Sequence, residues 1–126
     1  MEEGLQNLRE VVRMNPGAGE GHYNLAVALA MKGDQEEAAK EYRRAIALTP
    51  HSAKAYSELG MVLAIQGKDT EAIEQLKNAL RWDPELAQTE YNLGVLLAKH
   101  GNPVEGQAHI QQALKRDPTL ARLVQK

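Results

Sequence analysis

Proline returns in this chain at one interval: Pro16, Pro50, Pro84 and Pro118 stand 34 residues apart. Gly33, Gly67 and Gly101 keep the same register, as do Ala45, Ala79 and Ala113, and Leu25, Leu59 and Leu93. A repeat of this length means an array of supersecondary units, none of which can bury its apolar face alone. Stacked units give an extended curved surface, and that surface is what such arrays use.

Each period contains two apolar patterns of helical spacing separated by a glycine. The first reads Tyr23, Leu25, Ala26, Leu29, then Gly33, then Ala38, Tyr42, Ala45, Ile46, Leu48. The second reads Tyr56, Leu59, Gly60, Leu63, then Gly67, then Ala72, Leu76, Ala79, Leu80, Trp82. The third reads Tyr91, Leu93, Gly94, Leu97, then Gly101, then Gly106, Ile110, Ala113, Leu114. The spacing predicts pairs of antiparallel helices over 19–52, 53–86 and 87–120. Residues 1–18 match only a second helix, with Leu5, Leu8, Val11 and Val12 on one face. Residues 121–126 match the start of a further helix that would cap the array.

The punctuation between helices has physical causes. The three glycines stand where a first helix must end, a position that favours left-handed backbone. Asp34 with Glu37, and Asn102 with Glu105, have the spacing of a capping box. Pro103 then falls at the first helical position, where its missing N–H is harmless. The periodic prolines stop the second helices. Small residues at Ala26, Gly60 and Gly94, and again at Ala38, Ala72 and Gly106, let paired helices approach closely. Gly106 is a glycine inside a helix, which costs about 0.5–1 kcal/mol relative to alanine. On that count the third unit is predicted to be the weakest. Trp82 and Leu48 share a recurring apolar slot and are expected in the core.

On these residues the chain resembles the tetratricopeptide repeat family. The second unit matches best: Tyr56, Leu59-Gly60, Leu63, Gly67, Ala72, Leu76, Ala79 and Pro84 fill the signature slots. His22 and Glu90 stand where the family has a large aromatic residue. The resemblance implies an all-α, right-handed α-solenoid of three helix-turn-helix repeats with flanking helices, forming a single array over residues 1–126. It further implies a groove lined by the first helices. The family's groove positions fall here on Glu20, Tyr23, Asn24, Val27 and Met31, then Lys54, Ser57, Glu58, Met61 and Ile65. They continue on Gln88, Tyr91, Asn92, Val95 and Lys99, with Arg122 and Lys126 prolonging the row. Asn24 and Asn92 are similar to the backbone-binding asparagines of the O-GlcNAc transferase repeat arm, since a carboxamide offers a peptide bond both donors and an acceptor. Glu58 interrupts that ladder. Co-chaperone repeats clamp acidic C-terminal tails with lysine in the slot of Tyr23, asparagine in those of Val27 and Glu58, and basic residues in those of Gln88 and Asn92. None of these is present, which excludes that partner.

Charge and composition bound the rest. A net charge of −2 gives no general attraction to nucleic acid. The chain has no cysteine, so disulfides and thiolate metal sites are excluded. His22, His51, His100 and His109 show no metal-ligand spacing, and His22 is expected to pack in its aromatic slot. Gly101–Gly106 lacks the Lys-Ser/Thr that completes a phosphate loop. No apolar run long enough for a transmembrane helix occurs, and no signal-peptide pattern opens the chain. A cytoplasmic, non-catalytic scaffold or adaptor that binds a protein or peptide is therefore expected, without cofactor, metal or nucleic acid. The alternatives are the substrate-recognition arm of a larger enzyme and a self-assembly module that associates weakly through its ends. Residues 87–126 sum to +2 against −4 for the remainder. An oriented ligand would then place its acidic part near Lys99, Lys115, Arg116 and Arg122.

Overall fold

The computed structural model describes residues 2–124, and among them no strand occurs. Eight α-helices follow in order: α1 (Glu2–Met14), α2 (Gly19–Lys32), α3 (Gln35–Leu48), α4 (Ala53–Ile65), α5 (Asp69–Trp82), α6 (Ala87–Lys99), α7 (Pro103–Arg116) and α8 (Ala121–Val124). A short 3-10 turn, Pro118–Leu120, precedes α8. Residues Gln125 and Lys126, included in the capping-helix expectation, lie outside the described residues. α2 packs on α3, α4 on α5 and α6 on α7, and each of these pairs then packs on the next. The result is an all-α solenoid of three helix pairs with flanking helices. No helix is long and apolar enough to cross a membrane among the described residues.

The second helices end at Met14, Leu48, Trp82 and Arg116, each two residues before a periodic proline. The residue before a proline is driven out of the α region, so the helix stops at the same place in every unit. The first helices end through Gly33, Gly67 and Gly101, with φ of 102°, 80° and 88°. A left-handed glycine turns the chain so that the next N–H reaches back to a carbonyl of the last turn. Asp34 bonds Leu29 at 2.9 Å, Lys68 bonds Leu63 at 2.9 Å and Asn102 bonds Leu97 at 2.9 Å.

The capping boxes do not form. Neither Asp34 nor Asn102 makes a side-chain cap bond. The glycine turn already holds both through their backbone, and their acidic counterparts have charged partners elsewhere. Glu37 accepts from Arg9 at 2.7 Å, and Glu105 lies 3.9 Å from His109. Side-chain caps form instead at α4, where Ser52 Oγ accepts from the Ala55 N–H at 3.2 Å, and at the 3-10 turn, where Asp117 accepts from the Thr119 N–H at 3.1 Å. Pro103 does open α7.

Helices of a pair meet at small residues. A Cβ at Gly60 would lie 2.8 Å from Leu76 Cδ2. A Cβ at Gly94 would lie 2.6 Å from the Gly106 carbonyl oxygen, and one at Gly106 would lie 2.5 Å from the Gly94 carbonyl oxygen. α6 and α7 therefore touch backbone to backbone. This corrects the reading of Gly106 as a weakness: its helical cost is the condition for the closest crossing in the array. Around the crossings lies one core that includes Leu25, Leu29, Tyr42, Leu59, Leu63, Leu76, Leu93 and Leu97. Ala45, Ala79 and Ala113 are fully buried as well.

Three further positions differ from expectation. Trp82 and Leu48 are 44% and 45% exposed, because their slot is the last turn of a second helix, beyond the crossing. Trp82 instead meets His51 edge-to-face, with ring centroids 4.6 Å apart. His22 is buried as expected, but in a polar setting: Nδ1 lies 2.7 Å from Glu41 and Nε2 lies 2.7 Å from the Pro16 carbonyl oxygen. In the third unit the same two positions carry Glu90 and His109, 3.2 Å apart, with acid and imidazole exchanged between the helices. The middle unit has neutral Tyr56 and Gln75 there.

Leu5 is buried, and Leu8 and Val12 pack against the core. Val11 and Met14 of α1 remain exposed.

The crossing at α6 and α7 makes a direct prediction. Gly106→Ala is favourable by helix propensity but forces a methyl into the Gly94 carbonyl. We expect a net loss of stability within the range of about 1–3 kcal/mol typical of overpacking, read from urea denaturation. A more stable variant would show that the two backbones do not touch.

Candidate functional site

The side chains predicted to line a groove lie on α2, α4 and α6, with Arg122 on α8. Contacts between helices join them into one row. Lys54 Nζ stands 5.5 Å from the Tyr23 ring centroid. The Ser57 and Thr89 hydroxyls are 2.7 Å apart, and Asn92 Nδ2 donates to Met61 Sδ at 3.2 Å. None of the described residues of the predicted row is fully buried, and Lys126 lies outside the described residues.

Two cavities open on this row. One, of about 310 Å³, is lined by Gly19, Glu20, Tyr23, Asn24, Ala45, Thr49, Ser52 and Lys54. The other, of about 380 Å³, is lined by Met61, Ala64, Gln88, Tyr91, Asn92, Val95, Leu96 and Leu123. The first is mixed in character and carries one charge of each sign. The second is mainly apolar and has two carboxamides at its edge.

The structure thus brings Tyr23, Asn24 and Lys54 around one cavity and Met61, Gln88, Tyr91, Asn92 and Val95 around the other. Val27, Met31, Glu58, Ile65, Lys99 and Arg122 line neither. Val27 packs against the core. Met31 and Ile65 are strongly exposed near the ends of α2 and α4. Arg122 donates to the Thr119 carbonyl oxygen at 2.8 Å. Lys99 lies 3.4 Å from Asp69, which also takes a hydrogen bond from His100. Arg116 is 3.6 Å from Glu90. Of the four basic residues expected to receive an acidic ligand segment, three are therefore engaged within the chain.

Asn24 and Asn92 are not equivalent. Asn92 accepts from Gln88 at 3.1 Å and donates to Met61. Asn24 is exposed and has no side-chain hydrogen bond among the described residues. A carboxamide already held by neighbours is fixed in orientation, whereas a free one can adapt to an incoming peptide group.

Glu58 sits between the two cavities, half-buried on α4. Its carboxylate acts on two phenols. Burial pushes the Tyr42 hydroxyl well above the usual range, and the nearby charge of Glu58 adds to that. Tyr23 is raised in the same way, by burial first and Glu58 second. The two rings meet edge-to-face with centroids 5.7 Å apart, forming the wall behind Glu58.

Ala64, Leu96 and Leu123 in the second cavity, and Gly19, Ala45, Thr49 and Ser52 in the first, are lining residues that the groove positions omit. Leu123 had a legible signal. Gly21, Ala55 and Thr89 hold its slot in the earlier units, and all three are small and buried. Leu123 departs from that run of small residues and is half-buried. Among the described residues, no group of three or more His, Cys, Asp or Glu side chains could hold a metal ion.

Residues 2–53 match the family model described as "Tetratricopeptide repeat", and residues 60–101 match one described as "TPR repeat". The crystal structure of MamA aligns at a TM-score of 0.88 and 25% identity, over 96% of this chain and 71% of that one. A second MamA structure aligns at 0.85 and 25% identity, over 96% and 66%. YrrB, described as "a TPR protein with an unusual peptide-binding site", aligns at 0.82 and 25% identity, over 88% of this chain and 57% of its own. No curated protein matches the chain.

The Asp69 cluster yields a pH prediction. Chiefly the His100 hydrogen bond, and then Lys99, hold its carboxyl below the usual carboxylate range. A carboxyl lowered by folding stabilises the protein above its unfolded pKa and loses that effect as pH falls through the folded value. Asp69→Asn should therefore lower the urea midpoint at pH 7. The gap to wild type should close below about pH 3, under the ordinary aspartate value. An equal gap at both pH values would remove the electrostatic role.

Proposed function

The chain belongs to the tetratricopeptide repeat family, and we propose from its surface that it is a non-catalytic scaffold that binds a peptide segment along α2, α4 and α6. The observation that carries this reading is the pair of cavities on one continuous row, one amphipathic and one apolar. Aromatic and methionine side chains at such a surface supply contact area and adaptability. Tyr23 and Tyr91 each border a cavity with the ring half-buried, so a ligand would meet anchored phenols rather than mobile ones. A peptide-binding structural relative of this architecture supports the same use.

The titratable groups support binding rather than chemistry. His22, His100 and His109 are each spent on a carboxylate in a different part of the array. They do not converge on either cavity.

A second reading, self-assembly, is favoured by one observation: Val11 and Met14 near one end and Val124 at the other are more than half exposed. Sedimentation over a wide concentration range separates the two readings. Mass growth that Val11→Glu abolishes would favour assembly, and a constant monomer would eliminate it.

For the groove, the test is selection of displayed random nine-residue peptides on the wild-type protein. We expect the selected peptides to lose at least about 1 kcal/mol on Tyr91→Ala, the loss typical of a central aromatic contact. Asn24→Ala should cost them about 0.5–1.5 kcal/mol. Lys77→Glu, on exposed α5, should leave them unaffected. Peptides that bind Tyr91→Ala as tightly as wild type would overturn the reading.

A further inference from the structure

Among the described residues, the buried and half-buried carboxylates within helices have lysine or arginine partners, with one exception. Glu37 takes Arg9 at 2.7 Å. Glu41 takes His22 and Arg44, Asp69 takes His100 and Lys99, and Glu90 takes His109 and Arg116. Glu58 is half-buried on α4, and no cation of the described residues pairs with it. Its surroundings are the hydroxyls of Tyr42 and Tyr23. The nearest lysine along the helix, Lys54, is turned over the Tyr23 ring instead. A groove carboxylate without a counter-charge can accept from an incoming cation, and a charge-assisted hydrogen bond of this kind is stronger than a neutral one.

One helical turn further along α4, Met61 enters the apolar cavity completed by Tyr91, Val95, Leu96 and Leu123. Residues three apart on a helix face the same way, about 5–6 Å from each other. In an extended peptide, alternate side chains face the same way and stand about 6.5–7 Å apart. The two features therefore match residues two positions apart in one bound strand.

We propose that the groove selects an extended peptide with a lysine or arginine against Glu58 and a large aliphatic residue, two positions away, in the Met61–Leu123 cavity. This specificity rests on the peptide-binding reading above. It also accounts for Glu58 at a position where the outer units carry asparagine: the middle unit reads a charge, and its neighbours read neutral groups.

The probe is the same displayed nine-residue library. Peptides whose binding depends on Tyr91 should be enriched in Lys or Arg two positions from Leu, Ile or Met. Their affinity should fall about tenfold on Glu58→Gln, the loss expected for a charge-assisted hydrogen bond. Leu123→Ala should weaken the same peptides without changing their preference for a basic residue. Should Glu58→Gln fold poorly, salt decides on the wild type: affinity for the basic peptides should fall as ionic strength rises. Tyr91-dependent peptides without a basic residue, or with affinity indifferent to Glu58→Gln and to salt, would overturn this specificity and leave the groove intact. A library that yields no Tyr91-dependent peptide would overturn both.

Discussion

The architecture depends on how closely the two helices of a unit approach. At Gly94 and Gly106 the contact is backbone to backbone, with no room for a Cβ on either side. Gly60 against Leu76 and the fully buried Ala26 and Ala38 hold the other two pairs nearly as tightly. Interiors are close-packed and incompressible on this scale, so such a crossing has one geometry. Larger residues then fill the flanking slots, Leu25, Leu59 and Leu93 from one helix and Tyr42, Leu76 and Ile110 from the other. Because each crossing repeats after the same number of residues, the first helices align into a row.

This explains which parts of the fold were legible in the sequence. Glycines and prolines constrain φ locally, so helix ends could be read without knowledge of the neighbours, and the left-handed turns stand where the glycines predict them. Alternating small and large residues likewise announced the crossings. What could not be read was compensation across helices. His22 and Glu90 look like separate departures from an aromatic slot. Only when Glu41 and His109 are placed opposite them do they become one acid–imidazole pair, used in both orientations. The capping boxes failed for a related reason. Their spacing is a local signal, and Arg9, from another helix, outcompeted it. Trp82 misled because recurrence of an apolar residue shows that a slot is conserved in kind from unit to unit, not that it is covered.

The groove was legible as a row but not as cavities. Register places Tyr23, Asn24, Met61 and Tyr91 on the same helices' shared side. Whether a side chain is free to meet a ligand depends on what lies behind it. Lys99 shares the row by register, yet Asp69 engages it, and Arg122 bonds its own preceding turn. Conversely, Leu123 joins a cavity from a slot that the earlier units fill with small, buried residues.

These cases separate two kinds of departure from a repeat pattern. His22, Glu90 and Gly106 each break the pattern, and each has a complement inside the fold: a buried acid, a half-buried imidazole, a neighbouring backbone. A buried hydrogen bond broken on one side leaves an unsatisfied group that costs about 1–3 kcal/mol, so folding alone accounts for residues of this kind. Glu58 breaks the pattern in the unit that otherwise matches the family best, and no cation of the described residues pairs with it. Tyrosine hydroxyls can donate hydrogen bonds to a carboxylate but cannot neutralise it. Among the buried and half-buried helical carboxylates of the described residues, Glu58 alone lacks a cationic partner, although the buried Tyr42 hydroxyl bonds to it. That asymmetry, more than the shape of either cavity, is why the middle of the row is the place to look for what the protein recognises.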